Sequence, residues 1–354
     1  MTRLIDLHTD WMLQYAPETT IFNPKLYPKV PGRLAQGEGY LQATGAAILS
    51  CYRNADDWAS QVDPWAALGD LITRIEAEFS GRLLTSRDDF DRWKDDRDGL
   101  AWGMIGVEGF DALIRSADDL KRLPRLFERG VRLFQPVYNS TSLLAGSSVL
   151  GDDRGLTELG RSFLEALATL GTTRPGPRPI VDLAHLNPRS AGDVLGWFEA
   201  DPARLDVVLI VYSHGGLVHE GYSQSRAMTL ENLVRLRTLG GFLGVGVTPP
   251  FYANSDEIRA SIETAATIPF LGRVGYEGIG LGTDFLGVDQ VMPGLKNATE
   301  VVAWAKFAFP SKVAQAILRG NAQSLIEQAI GVFSREQKAE GSIGLARVST
   351  KPPV

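Results

Sequence analysis

The 354-residue chain has a single cysteine, Cys51, which rules out an internal disulfide. Cys51 lies in the apolar run GAAILSC and reads as a buried structural thiol. There is no long Lys/Arg run, and the formal net charge is −6 with a pI of about 5.4, unlike a nucleic-acid-binding protein with a basic face. No run of about eighteen uninterrupted apolar residues occurs, which argues against a membrane span. The first residues show no basic segment followed by an apolar core and a cleavage site, so the expected location is the cytoplasm. Solenoid repeats and low-complexity tracts are absent too. What is present is an ordinary globular composition, 44% hydrophobic and 22% charged, long enough for a large core.

Histidine is scarce, and its placement is informative. Three of the four histidines, His8, His185 and His214, each sit where an apolar run ends. Turn-bounded apolar runs predict eight strands, at 3–7, 45–51, 101–107, 131–137, 179–184, 207–213, 242–247 and 278–283. Helical periodicity fills gaps between them, as from Trp65 to Phe79, Ala117 to Arg129, Leu156 to Leu170 and Leu230 to Leu239. Eight strands separated by helices read as an α/β chain, a (β/α)8 TIM-type barrel, with a doubly wound open sheet as the alternative. The expected organisation is one catalytic barrel over 1–334 and a loose tail at 335–354. Pro- and Gly-rich stretches at 17–44 and 285–298 are expected to be loop insertions that shape access to a site.

Polar residues gather at the strand ends. His8 and Asp10 end or follow the first run, Glu108 the third, Tyr138 and Asn139 the fourth, His185 the fifth, His214 the sixth and Asp284 the eighth. In a barrel these C-terminal ends share one face, where barrel enzymes build their sites. Taken singly, a strand-end histidine is more often hydrogen-bonded scaffold than ligand, and a carboxylate there more often a helix cap. Their joint occurrence on separate strand ends points to a metal centre instead. His8, Asp10, Glu108, His185 and His214 offer nitrogen and oxygen donors without a thiolate, which suits Zn(II) or a related divalent ion, and a carboxylate such as Glu108 can bridge two ions. Two ions about 4 Å apart can polarise a carbonyl and hold a hydroxide as nucleophile, leaving Asp284 for proton transfer.

The motifs DLHTD, GVEG, GVRLFQPVYN, VDLAH, YSHGG and GLGTDFLG occur in the order and approximate spacing of the membrane dipeptidase family, the M19 metallopeptidases. The resemblance runs from about residue 4 to about residue 331 and includes GLTELGRSFLEAL and LRGNAQSLIE. It implies a metal-dependent, amidohydrolase-like barrel with two zinc ions per chain, one on His8, Asp10 and Glu108, the other on Glu108, His185 and His214. Asp284 resembles the family's catalytic aspartate. Arg226, in SRAMTLENL, falls where the family places an arginine on the substrate carboxylate; read from its own neighbours, it is a solvated residue before a helix starting near Thr229. Tyr138 and Asn139 are expected beside the substrate, with the Tyr138 hydroxyl able to donate to an oxyanion. His219 reads as a loop residue. The resemblance also makes a homodimer part of the expectation.

Tyr138 stands where mammalian relatives carry a histidine, Thr248 where an aromatic contacts substrate, and Leu286 where many relatives have a second aspartate. These departures surround the substrate, not the metal. The expected function is therefore a zinc-dependent dipeptidase acting through a metal-bridging hydroxide, with D-residues at the C-terminal position included. The alternative is a metal-dependent hydrolase or lyase acting on a non-peptide amide, ester or amino-acid-like metabolite, and behind it a catalytically silent ligand-binding barrel.

Overall fold

Eight parallel strands close into one barrel in chain order: β1 (Leu4–Thr9), β2 (Thr44–Cys51), β3 (Trp102–Glu108), β4 (Val131–Gln135), β5 (Ile180–Asp182), β6 (Leu209–Tyr212), β7 (Phe242–Val245) and β8 (Ile279–Leu281). The computed structural model describes residues 2–11, 39–51, 63–140, 142–148, 151–171, 176–219, 222, 225–249, 251–288 and 290–332. Most of the 17–44 stretch and the whole 335–354 tail lie outside these residues. The chain is a (β/α)8 barrel, as its run pattern predicts.

Helices α1 (Pro64–Glu78), α2 (Arg87–Asp95), α3 (Leu123–Glu128), α4 (Glu158–Leu170), α5 (Pro188–Ala200), α6 (Leu230–Thr238), α7 (Ser255–Thr267), α8 (Ala298–Ala308) and α9 (Asn321–Ala329) accompany the strands. Most begin at a side chain that satisfies the free amides of the first turn. Asp63 accepts from Trp65 and Ala66 ahead of α1, Thr157 from Gly160 ahead of α4, and Asn187 from Ser190 ahead of α5. The helix expected from Ala117 to Arg129 divides into a 3-10 turn, Asp119–Arg122, and α3. Pro124 has no N–H to donate and is tolerated only in a first helical turn, so α3 starts beside it. Strand β4 likewise stops at Gln135, ahead of Pro136, short of the expected end at 137.

Two buried layers hold the barrel. Ile5, Ala46, Ile180, Leu209 and Phe242, all at the starts of strands, form one cluster with Ala322, Leu325 and Ile326 of α9. Alternate strand residues such as Leu49, Val107, Phe134 and Ile210 pack outward in a cluster with α1 and α3 to α8. Burying each such aliphatic side chain is worth about 1.5–3 kcal/mol. The apolar filling therefore sits at the N-terminal end of the barrel, and the C-terminal end is left to polar side chains. No helix among the described residues is long and apolar enough to cross a membrane. Cys51 is buried, and burial pushes its thiol up to about 12.

Candidate metal centre

Glu108, the last residue of β3, lies at the middle of the polar end. Its Oε2 is 3.4 Å from His8 Nε2, and His8 Nε2 is 3.8 Å from Asp10 Oδ1. Its Oε1 is 3.1 Å from His185 Nε2 and 3.7 Å from His214 Nε2, and the two histidine nitrogens are 3.1 Å apart. One carboxylate is thus divided between two triads, His8–Asp10–Glu108 and Glu108–His185–His214, each with its donor atoms within 4.8 Å of one another. All five side chains are buried.

Neighbouring strands aim Glu108. Ser50 Oγ on β2 donates to Oε2 at 2.9 Å, and Gln135 Nε2 on β4, its register partner, donates to Oε1 at 3.3 Å. Each oxygen is therefore held toward a different triad. On the far side of the histidines, His185 Nδ1 is 2.8 Å from Asn139 Oδ1 and His214 Nδ1 is 2.8 Å from Ser213 Oγ. The backbone is strained here as well. Among the described residues only four non-glycines adopt positive φ, and three of them are His185 (64°), Asp284 (58°) and Leu286 (71°).

Taken as protein groups alone, the cluster is poorly balanced. Three carboxylates, Asp10, Glu108 and Asp284, crowd one imidazole. Burial alone would depress His8, yet Glu108, Asp10 and Asp284 outweigh it and lift the imidazole to about 10. Burial and the neighbouring Glu108 raise Asp10 well above the carboxylate range. Burial resists the Glu108 carboxylate, but His8 and His185 hold it well below that range. His185 is pushed down to about 3 by burial and Arg226, and His214 also falls, so both are neutral with a lone pair to offer. His8 Nδ1, His8 Nε2 and Asp10 Oδ1 are buried without a hydrogen-bond partner. Unpaired buried polar atoms beside surplus negative charge are what a divalent cation would satisfy, so the residues fit the metal group.

The other expected site residues are close by. Asp284 Oδ1 is 3.8 Å from His8 Nε2, and its Oδ2 is 3.7 Å from Arg226 Nη2. Arg226 is half-buried, not a solvated residue, and lies over the Phe251 ring at 5.0 Å. The Tyr138 ring is 4.3 Å from the His185 ring. Asn139, expected on the substrate, sits behind His185 and also accepts from Ser148 Oγ at 2.9 Å. His219 stays outside the cluster, 3.0 Å from the Phe251 carbonyl. Sequence reasoning passed over Ser50, Gln135, Asp182, Ser213 and Gly287. A Cβ on Gly287 would lie 1.7 Å from Asp10 Oδ2, so only glycine lets that carboxylate in. Asp182 did carry a signal, since a carboxylate inside the apolar run PIVDLA is costly to bury unpartnered.

The family profile described as membrane dipeptidase, peptidase family M19, matches residues 2–338. The chain belongs to the membrane dipeptidase family. Among relatives of this membrane dipeptidase-family chain, dipeptidase verJ of Clonostachys rogersoniana is 26% identical over 267 residues, 74% of this chain and 61% of that protein. Dipeptidase tcpJ of Claviceps purpurea is 24% identical over 265 residues, 74% of this chain and 56% of that one. The matches thus span about three fifths of those curated relatives. Of the solved structures, a metallo peptidase from Rhodobacter sphaeroides liganded with a phosphinate mimic of the dipeptide L-Ala-D-Ala superposes with a TM-score of 0.68 at 18% identity, covering 92% of this chain and 99% of that one. A second, dipeptidase AC, gives a TM-score of 0.67 at 18% identity over 94% of this chain and 100% of the other. At these identities the likeness is one of fold.

Proposed function

We propose that the chain is a metal-dependent dipeptidase that holds two zinc ions through Glu108. The observation that carries this reading is the division of the Glu108 carboxylate between two buried triads, with Oε2 toward His8 and Oε1 toward His185 and His214. Nitrogen and oxygen donors without sulfur suit zinc. Relatives named as dipeptidases support a peptide substrate. The neighbour liganded with an L-Ala-D-Ala mimic motivates a D-residue at the C-terminal position. Bound there, two divalent ions would supply Lewis acidity toward the scissile carbonyl and the attacking water.

The chain's own groups take the remaining work. The Arg226 guanidinium pairs with the substrate carboxylate, a match for its planar fork. Asp284, between His8 and Arg226, takes a proton from the attacking water and passes it to the leaving amine. The Tyr138 hydroxyl donates a hydrogen bond to the oxyanion as charge develops. Ser50 and Gln135 keep Glu108 in place throughout.

A second reading has its own support. Leu286 is buried at φ 71°, and the Thr248 hydroxyl is buried without a hydrogen-bond partner, both at positions expected to face substrate. They favour hydrolysis or a lyase step on a non-peptide amide, ester or amino-acid-like metabolite. Release of amino acids from L,L and L,D dipeptides by the zinc-loaded chain, lost on chelation, supports the first reading. Turnover confined to amides or esters favours the second. Sedimentation velocity on the full chain tests the homodimer.

A further inference from the structure

Asp182 ends β5, is fully buried, and touches neither of the triads built on Glu108 as a ligand. One of its oxygens lies within 4.8 Å of a ring nitrogen of His8 and of His214, but both oxygens are already engaged. Oδ1 accepts from Ala184 N at 3.0 Å and Ser213 N at 2.9 Å, and Oδ2 accepts from Ser213 Oγ at 2.5 Å. The same Ser213 Oγ is 2.8 Å from His214 Nδ1. A hydroxyl has one hydrogen, and an ionised carboxylate can only accept. The Ser213 hydrogen therefore goes to Asp182, and toward the imidazole Ser213 is an acceptor. His214 Nδ1 must then carry the ring proton, which leaves the lone pair on Nε2, the atom facing Glu108 Oε1 at 3.7 Å.

We propose that Asp182 is a positioning residue that, through Ser213, holds His214 in the tautomer whose Nε2 is free to bind a metal. The inference deepens the metal-centre reading and rests on it. The relay is tightly built, for a Cβ on Gly282 would lie 1.9 Å from the Ser213 carbonyl oxygen and 3.0 Å from His214 Cβ. Gly282 thus packs directly on the Ser213 carbonyl and the His214 Cβ, at a place where a side chain would displace them. A second clamp of the same kind provides a comparison. Asp6 accepts from Thr283 N at 2.9 Å, Thr283 Oγ1 at 2.5 Å, Tyr40 Oη at 2.9 Å and the His8 backbone N at 3.2 Å, bracing β8 against β1, but Thr283 Oγ1 goes on to accept from Phe285 N, and this clamp's hydroxyl is bonded to no imidazole.

The two clamps separate tautomer control from bracing. In Asp182→Asn the side-chain amide can donate to Ser213 Oγ, turning the hydroxyl hydrogen toward His214 Nδ1 and moving the ring proton to Nε2. Asp6→Asn makes the same chemical change at a clamp that has no imidazole. With four histidines in the chain, 15N NMR of the metal-free full-length protein resolves each ring, and His214→Gln assigns the signal. The expected result is an Nδ1–H signature for His214 in the wild type and in Asp6→Asn, and an Nε2–H signature in Asp182→Asn. Zinc titration should show the equivalent on Glu108, His185 and His214 weakened by about 10–100-fold in Asp182→Asn and kept in Asp6→Asn, whose carboxylate meets the His8 amide and not His214. If Asp182→Asn does not fold, Ser213→Ala serves, with mixed tautomers and the same loss of zinc affinity expected. An Nδ1–H signature and wild-type zinc affinity in Asp182→Asn would overturn the proposal, as would an equal loss in Asp6→Asn. A wild type that binds no zinc would defeat the metal reading, while the NMR result would still decide the tautomer relay on its own.

Discussion

Arg226 Nη2 faces Asp284 Oδ2 across 3.7 Å, too long for a hydrogen bond, while the same guanidinium rests on the Phe251 ring. Its Nε is buried without a hydrogen-bond partner. The side chain is therefore held in place and keeps an unused donor edge, as a carboxylate-binding arginine requires. Arg226→Lys keeps the charge but loses the fork and the flat face. It is expected to raise KM for dipeptides by about 10–100-fold with kcat nearly unchanged. Steady-state kinetics on a free dipeptide and its C-terminal amide check this: the variant should reduce the preference for the free carboxylate, and an undiminished preference would remove Arg226 from that role.

Gly287 is a steric prediction. A Cβ there would lie 1.7 Å from Asp10 Oδ2 and 3.1 Å from Asp284 Oδ1. Gly287→Ala should push Asp10 away and weaken the His8–Asp10–Glu108 triad without touching His185 or His214. Zinc analysis after dialysis is expected to find about one ion per chain retained, the other weakened by about 10–100-fold. Equal loss of both ions would mean that the two triads are not separable.

Asp111 supplies a pH dependence away from the triads. It lies beneath Tyr138, accepting from Tyr138 N at 3.2 Å and Ser140 Oγ at 2.6 Å, and burial pushes it up to about 6 despite these hydrogen bonds. The folded state thus holds this proton more tightly than the unfolded chain, whose carboxyl titrates near 3.8. The group's stabilising contribution is complete below 3.8 and is lost as pH rises through about 6. Asp111→Asn cannot ionise. Melting curves should show the variant more stable than wild type at pH 8, by about 1–3 kcal/mol, with the gap closing by pH 4. A variant less stable at pH 8 would show that the charged form is well solvated.

The strand ends were legible because an imidazole or carboxylate stands out where an apolar run stops, as in LIDLHTD and GMIGVEG. The barrel followed from eight such runs with helical spacing between them. What surrounds Glu108 was not legible in that way. Ser50 and Gln135 look like ordinary strand residues, and their contact with Glu108 depends on lateral register, such as the pairing of Glu108 with Gln135. Asn139 stands out because it follows a strand, but the turn after β4 that brings its oxygen onto His185 is not visible in the sequence. Arg226 was ambiguous from its neighbours, since the Phe251 ring that holds it lies 25 residues on. Such side-to-side relations do not appear in periodicity.

The central claim, that one buried carboxylate joins two metal sites, is tested most directly by zinc titration of the metal-free full chain beside Glu108→Ala. The account predicts two equivalents bound by the wild type, dipeptide turnover that appears with them, and weakened binding of both equivalents in Glu108→Ala. Binding of fewer than two equivalents, or two that are indifferent to Glu108, would contradict it.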